Sequence, residues 1–114
     1  VKTMIAALRD AIPGMPLRCH FHNTRNTGLA NAFAAAEMGV ERLDSSVGGI
    51  GGCPFAPSAT GNIGTEDLVY LLERSGIETG YSLPKLNAMA PWLAQRLNLA
   101  GLPAMVSRTD PFPA

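Results

Sequence analysis

The part of the chain that decides the fold is residues 42–72, which read RLDSSVGGIGGCPFAPSATGNIGTEDLVYLL. It begins with a run typical of a strand, continues through a loop rich in glycine and proline, and ends in a helical pattern. Glycine and proline exclude a regular strand or helix interior across residues 48–62. A connection longer than about 12–15 residues in a compact domain is usually functional or disordered. Because α/β proteins carry their chemistry on loops that follow strands, this loop is the first candidate for a functional site, and a mobile linker is the alternative.

Helical and strand patterns alternate on both sides of this loop. Strands are predicted over residues 17–22 and 42–47, and helices over residues 2–11, 26–38, 65–74 and 84–98. Pro91 falls inside the last helix and predicts a kink there or two shorter helices. Strands that alternate with helices of this length are typical of βαβ units and a parallel sheet. Two strands leave the apolar helix faces uncovered, so we expect part of a barrel or of a larger sheet.

The chain divides into a partial barrel domain over residues 1–101 and a tail over residues 102–114. Three prolines in the thirteen residues of the tail predict a loosely attached segment. The chain starts at Val1 rather than at a methionine, and we therefore expect it to be a piece of something longer.

Composition limits the classes of protein and of partner. The 114 residues are sufficient for one small domain, and 46% of them are apolar, as in globular proteins. Nine basic and nine acidic side chains cancel, so no nucleic-acid partner is expected. No apolar run approaches the roughly 18 residues that span a bilayer, and no signal-peptide pattern opens the chain, so no membrane partner is expected. Two cysteines do not make a disulfide framework, which favours free thiols and a cytoplasmic setting.

His20 and His22, the two histidines of the chain, lie two residues apart at the end of the first predicted strand. Period-2 geometry places both imidazoles on one face, with Cα atoms about 6–7 Å apart. Two neutral imidazoles at that spacing can share a divalent metal ion. A solvated polar strand face is the alternative, but α/β sites lie at the carboxyl ends of strands, which favours the metal interpretation.

Two further candidates lie in or beside the loop. A thiol at Cys53, lined by glycine, can act as an acid, a base or a nucleophile, and a buried structural cysteine is the alternative. Asn62, just before the helix predicted over residues 65–74, offers a carbonyl oxygen to a metal or a cap to the helix. The second strand ends with Asp44, Ser45 and Ser46, which are weaker candidates for residues that line the same site.

Three segments closely resemble the hydroxymethylglutaryl-CoA lyase family in order and in spacing. They are LRCHFHNT at residues 17–24, LDSSVGGIGGCPFA at residues 43–56 and TGNIGTEDLV at residues 60–69. The resemblance covers roughly residues 16–98, and the cysteine loop is its specific part. Related barrel synthases that condense acetyl-CoA with keto acids share the His-x-His and Gly-Asn motifs, but carry a Gly-Glu-Arg-type loop in place of Gly-Gly-Cys-Pro.

The resemblance implies the C-terminal part of a (β/α)8 TIM barrel followed by extra C-terminal helices. It implies a divalent cation, Mg²⁺ or Mn²⁺, with His20, His22 and Asn62 as ligands and Cys53 as the catalytic proton donor. Gly51 and Gly52 are the candidates for loop contacts with an acyl-CoA thioester substrate, whose binding residues are otherwise unknown. The reaction implied is a retro-Claisen cleavage of 3-hydroxy-3-methylglutaryl-CoA into acetyl-CoA and acetoacetate, by a full-length enzyme that forms a homo-oligomer.

Two departures from the family pattern limit what this chain does alone. Asn23 stands where the family commonly has aspartate, and no segment matches the family's first strands, which supply an arginine, a metal-binding aspartate and a glutamate. We therefore expect the isolated chain to need the missing N-terminal barrel half, to bind metal weakly, to lack substantial lyase activity and to associate through its open edge. A lyase for a longer-chain 3-hydroxyglutaryl-CoA, a related aldolase and a non-catalytic half-barrel assembly module are the alternatives.

Overall fold

The structure, a computed structural model, describes residues 1–52 and 61–109. Helices and strands follow one another in the predicted order. They are α1 (Lys2–Ala11), β1 (Arg18–Cys19), α2 (Gly28–Glu37), β2 (Arg42–Leu43), α3 (Thr65–Arg74) and α4 (Leu83–Arg96), with short 3₁₀ turns at Val47–Gly49 and Val106–Arg108. Helices α1 and α3 have the predicted bounds, and α2 begins at Gly28, two residues later than predicted.

Strands β1 and β2 pair in parallel, as the βαβ pattern predicts, with Arg18 opposite Arg42 and Cys19 opposite Leu43. Their ladder is shorter than the six residues predicted for each strand. Beyond it, His22 pairs with Asn62 and Ser46 pairs with Gly64. Residues 61–64, which follow the glycine-rich loop, therefore pair with the chain beyond both strands. They occupy the positions that a longer ladder between β1 and β2 would use.

The helices cover one face of this small sheet. One core cluster, between α2 and α3, consists of Ala32, Ile63, Leu68 and Leu72, and a second, beneath α1, consists of Ile5, Leu17 and Ala35. Phe21 and Leu43 pack against both clusters, and Cys19 packs against the second. The predicted strand polarity is confirmed, because the residues that alternate with the histidines face the core. Burial raises the pKa of the Cys19 thiol, as expected for an apolar setting.

Helix α4 runs without a break through Pro91, which excludes two shorter helices and leaves the other alternative, a kink at Pro91, as a prediction. A proline removes one N–H from the helical hydrogen-bond pattern, and the turns before and after it keep their backbone hydrogen bonds. Ser82 is the N-cap and Pro84 lies in the first turn, where a missing N–H has no helical partner to lose. At 14 residues α4 is the longest helix described, and neither it nor any other described helix has the length and apolar content to cross a membrane.

The described part of the tail, residues 102–109, is packed rather than loosely attached, so that prediction is wrong for these residues. Leu102 and Ala104 are buried at 6% and 1% exposure. The Ala104 N–H donates to the Gly48 carbonyl at 3.0 Å. Pro103 has no N–H to donate, but the apolar side chains and N–H groups around it still find partners. Residues 110–114 lie outside the described residues.

Candidate metal centre

His20 and His22 lie side by side on the sheet face that the helices leave open. Their ring centroids are 5.1 Å apart with an interplanar angle of 61°, which confirms that both imidazoles share one face. The His20 side chain is 51% exposed. Two adjacent imidazoles with accessible nitrogens form one side of a possible metal site.

Asp44, the residue after β2, lies beside His20. Its Oδ2 lies 3.4 Å from Nδ1 of His20, and its Oδ1 accepts a 2.6 Å hydrogen bond from Nε of Arg18. The hydrogen bond from Arg18 lowers the pKa of the Asp44 carboxyl, and the charges of Arg18 and His20 lower it further. An ionised carboxylate beside Nδ1 favours the tautomer that carries its proton there, which leaves the Nε2 lone pair for a metal. In sequence, Asp44 was only a weak candidate, because its pairing depends on the register of the two strands.

Asn62 is brought to the histidines by backbone pairing. It forms an antiparallel bridge with His22, next to a 3.2 Å bond from Asn23 N–H to the Gly61 carbonyl. Its Nδ2 donates to the Ile50 carbonyl at 3.0 Å. Its Oδ1 is buried and accepts no hydrogen bond from the residues that the structure describes. A buried carbonyl oxygen without a donor requires an explanation, and a hard cation is a suitable partner for it.

These residues fit a divalent cation. Imidazole nitrogen and amide oxygen are both ordinary ligands of such ions, and the unpartnered Oδ1 of Asn62 is already oriented by its own amide nitrogen. Helix capping, the alternative role for Asn62, is not observed, because Gly64 is the N-cap of α3. Within residues 1–52 and 61–109, no three His, Cys, Asp or Glu side chains are grouped to hold a metal.

Asn23, which follows the histidine pair, closes the start of α2. Its Oδ1 accepts the Gly28 N–H at 3.0 Å, and its Nδ2 lies 3.3 Å from Oδ1 of Asn26. Thr27 is the N-cap of α2, so Asn23 closes the turn that leads into the helix. The amide therefore serves the helix terminus.

The glycine-rich loop leaves β2 through a turn with positive φ at Gly48 (72°), Gly49 (69°) and Gly51 (97°). Both carboxylate oxygens of Glu66, which is fully buried, accept from the Gly48 N–H at 3.0 and 2.9 Å. At the start of a helix an acidic residue is already explained by the helix dipole, so the sequence does not reveal this bond. A glutamate in the second position of a helix carries no signal that a glycine eighteen residues earlier lies beneath it.

The two ends of the loop touch. A Cβ added at Gly61 would lie 2.3 Å from the Gly51 carbonyl oxygen and 2.4 Å from that of Gly49. Gly51 and Gly52 are exposed, as a contact with a ligand requires, and Cys53 lies outside the described residues. Only glycine permits this approach of two backbone segments beside Asn62.

A cavity of about 950 Å³ extends from His20 and Asn62 to apolar residues of α3 and α4. Arg18, His20, Asp44 and Asn62 are among its polar residues, and Leu43 and Leu86 are among its apolar ones. Its size is at the upper end of small-molecule sites, and an apolar wall with a few convergent polar groups is typical of them.

Comparison with known proteins agrees with this picture. The HMGL-like family model matches residues 1–92. The (R)-citramalyl-CoA lyase of Chloroflexus aurantiacus is 50% identical over 115 residues, which cover 97% of this chain and 36% of the relative. Hydroxymethylglutaryl-CoA lyase YngG of Bacillus subtilis is 44% identical over 97 residues, which cover 85% of this chain and 32% of the relative.

Among solved structures, an HMG-CoA lyase from Acinetobacter baumannii in complex with coenzyme A and 3-methylmalate matches with a TM-score of 0.87 at 41% identity. The match covers 99% of this chain and 38% of that one. The chain spans about a third of the length of the curated relatives it matches. The resemblance found in the sequence is confirmed, and so is the prediction of an α/β fold that forms part of a TIM barrel.

Proposed function

From the premise that this chain belongs to the HMGL-like family, we propose that it supplies the cysteine loop and three metal ligands of a carbon–carbon lyase for acyl-CoA thioesters. The ligands are His20, His22 and Asn62, and the cation is Mg²⁺ or Mn²⁺. The observation that carries the proposal is the buried Oδ1 of Asn62, which accepts no described hydrogen bond and belongs to a residue paired with His22. Lyases named among the relatives support the reaction class.

The proposed substrate is 3-hydroxy-3-methylglutaryl-CoA, cleaved to acetyl-CoA and acetoacetate. The 50% identical relative favours citramalyl-CoA as a second candidate. The two acyl groups share a tertiary hydroxyl with a methyl group and differ by one methylene before the terminal carboxylate. Cleavage of the shorter one gives acetyl-CoA and pyruvate. A pocket that distinguishes one methylene does so by about 10–200-fold, so kcat/KM ratios can separate the two.

In the proposed reaction the bond between C2 and C3 breaks. The C3 hydroxyl gives its proton to a general base outside this chain and becomes a carbonyl, and the bonding electrons pass to C2 as the enolate of acetyl-CoA. The Cys53 thiol then gives its proton to C2. A bound divalent cation supplies Lewis acidity at the hydroxyl oxygen.

The other residues of the chain orient and hold these groups. His20, His22 and Asn62 would hold the cation, and Asp44 fixes the tautomer of His20. Two imidazoles and an amide bring no negative charge, so we propose that a carboxylate outside this chain completes the site in the full-length protein. The expected weak metal binding and inactivity of the isolated chain follow from that charge deficit.

The test uses the full-length protein encoded by the gene that contains this chain, with Mn²⁺. Release of acetyl-CoA is measured with each of the two thioesters, before and after treatment with EDTA. We expect EDTA to abolish turnover and Mn²⁺ to restore it, and Cys53→Ala to abolish turnover while Mn²⁺ binding persists. Full activity in EDTA, or in Cys53→Ala, would overturn the mechanism, and absence of turnover with both thioesters would overturn the substrate class.

A further inference from the structure

Residues 102–106, here called the C-terminal clamp, lie against the turn at the start of the glycine-rich loop. The Ala104 N–H donates to the Gly48 carbonyl at 3.0 Å. A Cβ added at Gly48 would lie 2.4 Å from Cδ1 of Leu102, and one added at Gly49 would lie 3.3 Å from Pro103. The clamp lies beyond the residues that the family model matches.

Two neighbouring carboxylates in the first turn of α3 hold the clamp and the turn together. Asp67 accepts the Met105 N–H on Oδ2 at 3.1 Å and the Val106 N–H on Oδ1 at 2.7 Å. Glu66, buried at 0% exposure, accepts the Gly48 N–H on both oxygens. Hydrogen bonds to charged acceptors are about twice as strong as neutral ones. Gly48 is thus fixed through its N–H by α3 and through its carbonyl by the clamp.

The position of this turn affects the orientation of the Asn62 side chain. Two residues after Gly48, the Ile50 carbonyl accepts the Asn62 Nδ2 at 3.0 Å. A carbonyl can accept only from the NH₂ end of an amide, so this bond determines which end faces Ile50 and which faces away. If the turn shifts, the Ile50 carbonyl moves with it, and the free Oδ1 of Asn62 loses its fixed direction.

We propose that the C-terminal clamp, together with Glu66 and Asp67, sets the affinity for the divalent cation by positioning Asn62. These are positioning residues, because they act through the Gly48–Ile50 backbone and do not touch the cation. The inference rests on the proposed function, since it takes Asn62 as a metal ligand.

The test measures Mn²⁺ dissociation constants of the full-length protein by electron paramagnetic resonance of the free ion. Asp67→Asn, which weakens the bonds to Met105 and Val106, is expected to raise the constant about tenfold, the low end of what outer-shell partners contribute. Glu73→Gln is the matched control, because it makes the same change at the far end of α3, where the carboxylate accepts from Thr79. The control is expected to bind Mn²⁺ like the parent protein.

Leu102→Ala provides a second perturbation that leaves α3 intact, for the case that Asp67→Asn does not fold. It removes the packing of the clamp on Gly48 and is expected to raise the Mn²⁺ constant in the same direction. Asn62→Ala and the double variant Asn62→Ala/Asp67→Asn complete the set. Because the clamp acts through Asn62, the double variant is expected to bind no more weakly than Asn62→Ala alone.

Each outcome decides the matter. If Asn62→Ala weakens Mn²⁺ binding but Asp67→Asn and Leu102→Ala bind within twofold of the parent, the clamp proposal is overturned and the proposed metal site stands. Additive losses in the double variant also overturn the clamp proposal, because they place its effect elsewhere. If Asn62→Ala itself binds Mn²⁺ normally, the ligand assignment falls and the clamp proposal falls with it.

Discussion

His20 exposes about half of its side chain, whereas the side-chain oxygen of Asn62 is buried. The histidine side of the candidate site stands on a short strand, where Oδ2 of Asp44 lies 3.4 Å from Nδ1 of His20. The asparagine side is enclosed by the glycine turn, α3 and the C-terminal clamp. One side is thus enclosed by segments of this chain, and the other is exposed. A ligand set divided in this way predicts different responses to substitution on its two sides.

The largest effect is expected from removing a ligand on either side. His22→Ala and Asn62→Ala in the full-length protein should each lower kcat/KM by about 10³-fold, which corresponds to about 4 kcal/mol of transition-state stabilisation. The two should differ in stability without metal, because only Asn62→Ala loses a buried hydrogen bond, worth about 1 kcal/mol. Steady-state kinetics and urea unfolding of the metal-free protein measure the two quantities. Equal unfolding midpoints would contradict the contrast drawn between the two sides.

Overpacking the asparagine side is expected to cost stability directly. Gly61→Ala places a methyl group against two backbone oxygens, at 2.3 and 2.4 Å, so one segment must move. We expect a loss of about 3 kcal/mol in the free energy of unfolding, the upper end for overpacking. Gly101→Ala is the control, because nothing lies within 4 Å of its added Cβ. A midpoint for Gly61→Ala that matches the control would show that the loop ends do not meet as described.

On the histidine side, Asp44→Asn tests the contact between the Asp44 carboxylate and Nδ1 of His20. The substitution removes the charge that favours a proton on Nδ1, and should raise the Mn²⁺ dissociation constant about tenfold. The unfolding midpoint of the metal-free protein should change little, because the pair with Arg18 is exposed. Isothermal titration with Mn²⁺ gives the constant. Unchanged affinity would assign Asp44 to the surface ion pair alone.

The smallest effect concerns the start of the histidine strand, where Oε2 of Glu41 accepts the Leu17 N–H at 2.8 Å. This bond lowers the pKa of the Glu41 carboxyl. A lowered folded-state pKa means that the stabilisation is complete above the unfolded-state pKa, about 4.3, and is lost as pH falls through the folded-state value. Glu41→Gln should therefore melt below the parent protein at pH 7 and approach it below about pH 4. A difference in melting temperature that stays constant with pH would refute this.

Sequence patterns predicted those parts of the molecule that local periodicity determines. The bounds of α1 and α3 and the shared face of His20 and His22 follow from 3.6-residue and two-residue periods, whatever the rest of the chain does. Predictions that depended on distant partners were less successful. The strands were predicted too long because residues 61–64 take their pairing positions.

The prolines were less informative than the local periodicity. In α4 a single proline did not divide the helix into two, and in the tail three prolines suggested detachment where Leu102 and Ala104 are buried. The roles of Glu66 and Asp67 were missed for a related reason. At a helix start, acidic residues already have a sufficient local explanation in the dipole, and nothing in sequence shows a second partner.

The contact between Gly61 and Gly51 has a consequence for how such a protein can diversify. Since the loop leaves and rejoins the barrel at one point, its length can change without moving the residues on either side. Closing a segment between two fixed ends costs entropy that grows by only about 0.6 kcal/mol for each doubling of its length. A change in the number of residues around Cys53 therefore costs little stability, while His22 and Asn62 keep their pairing. The glycine contact thus separates a segment whose length can vary from the paired residues whose positions must remain fixed.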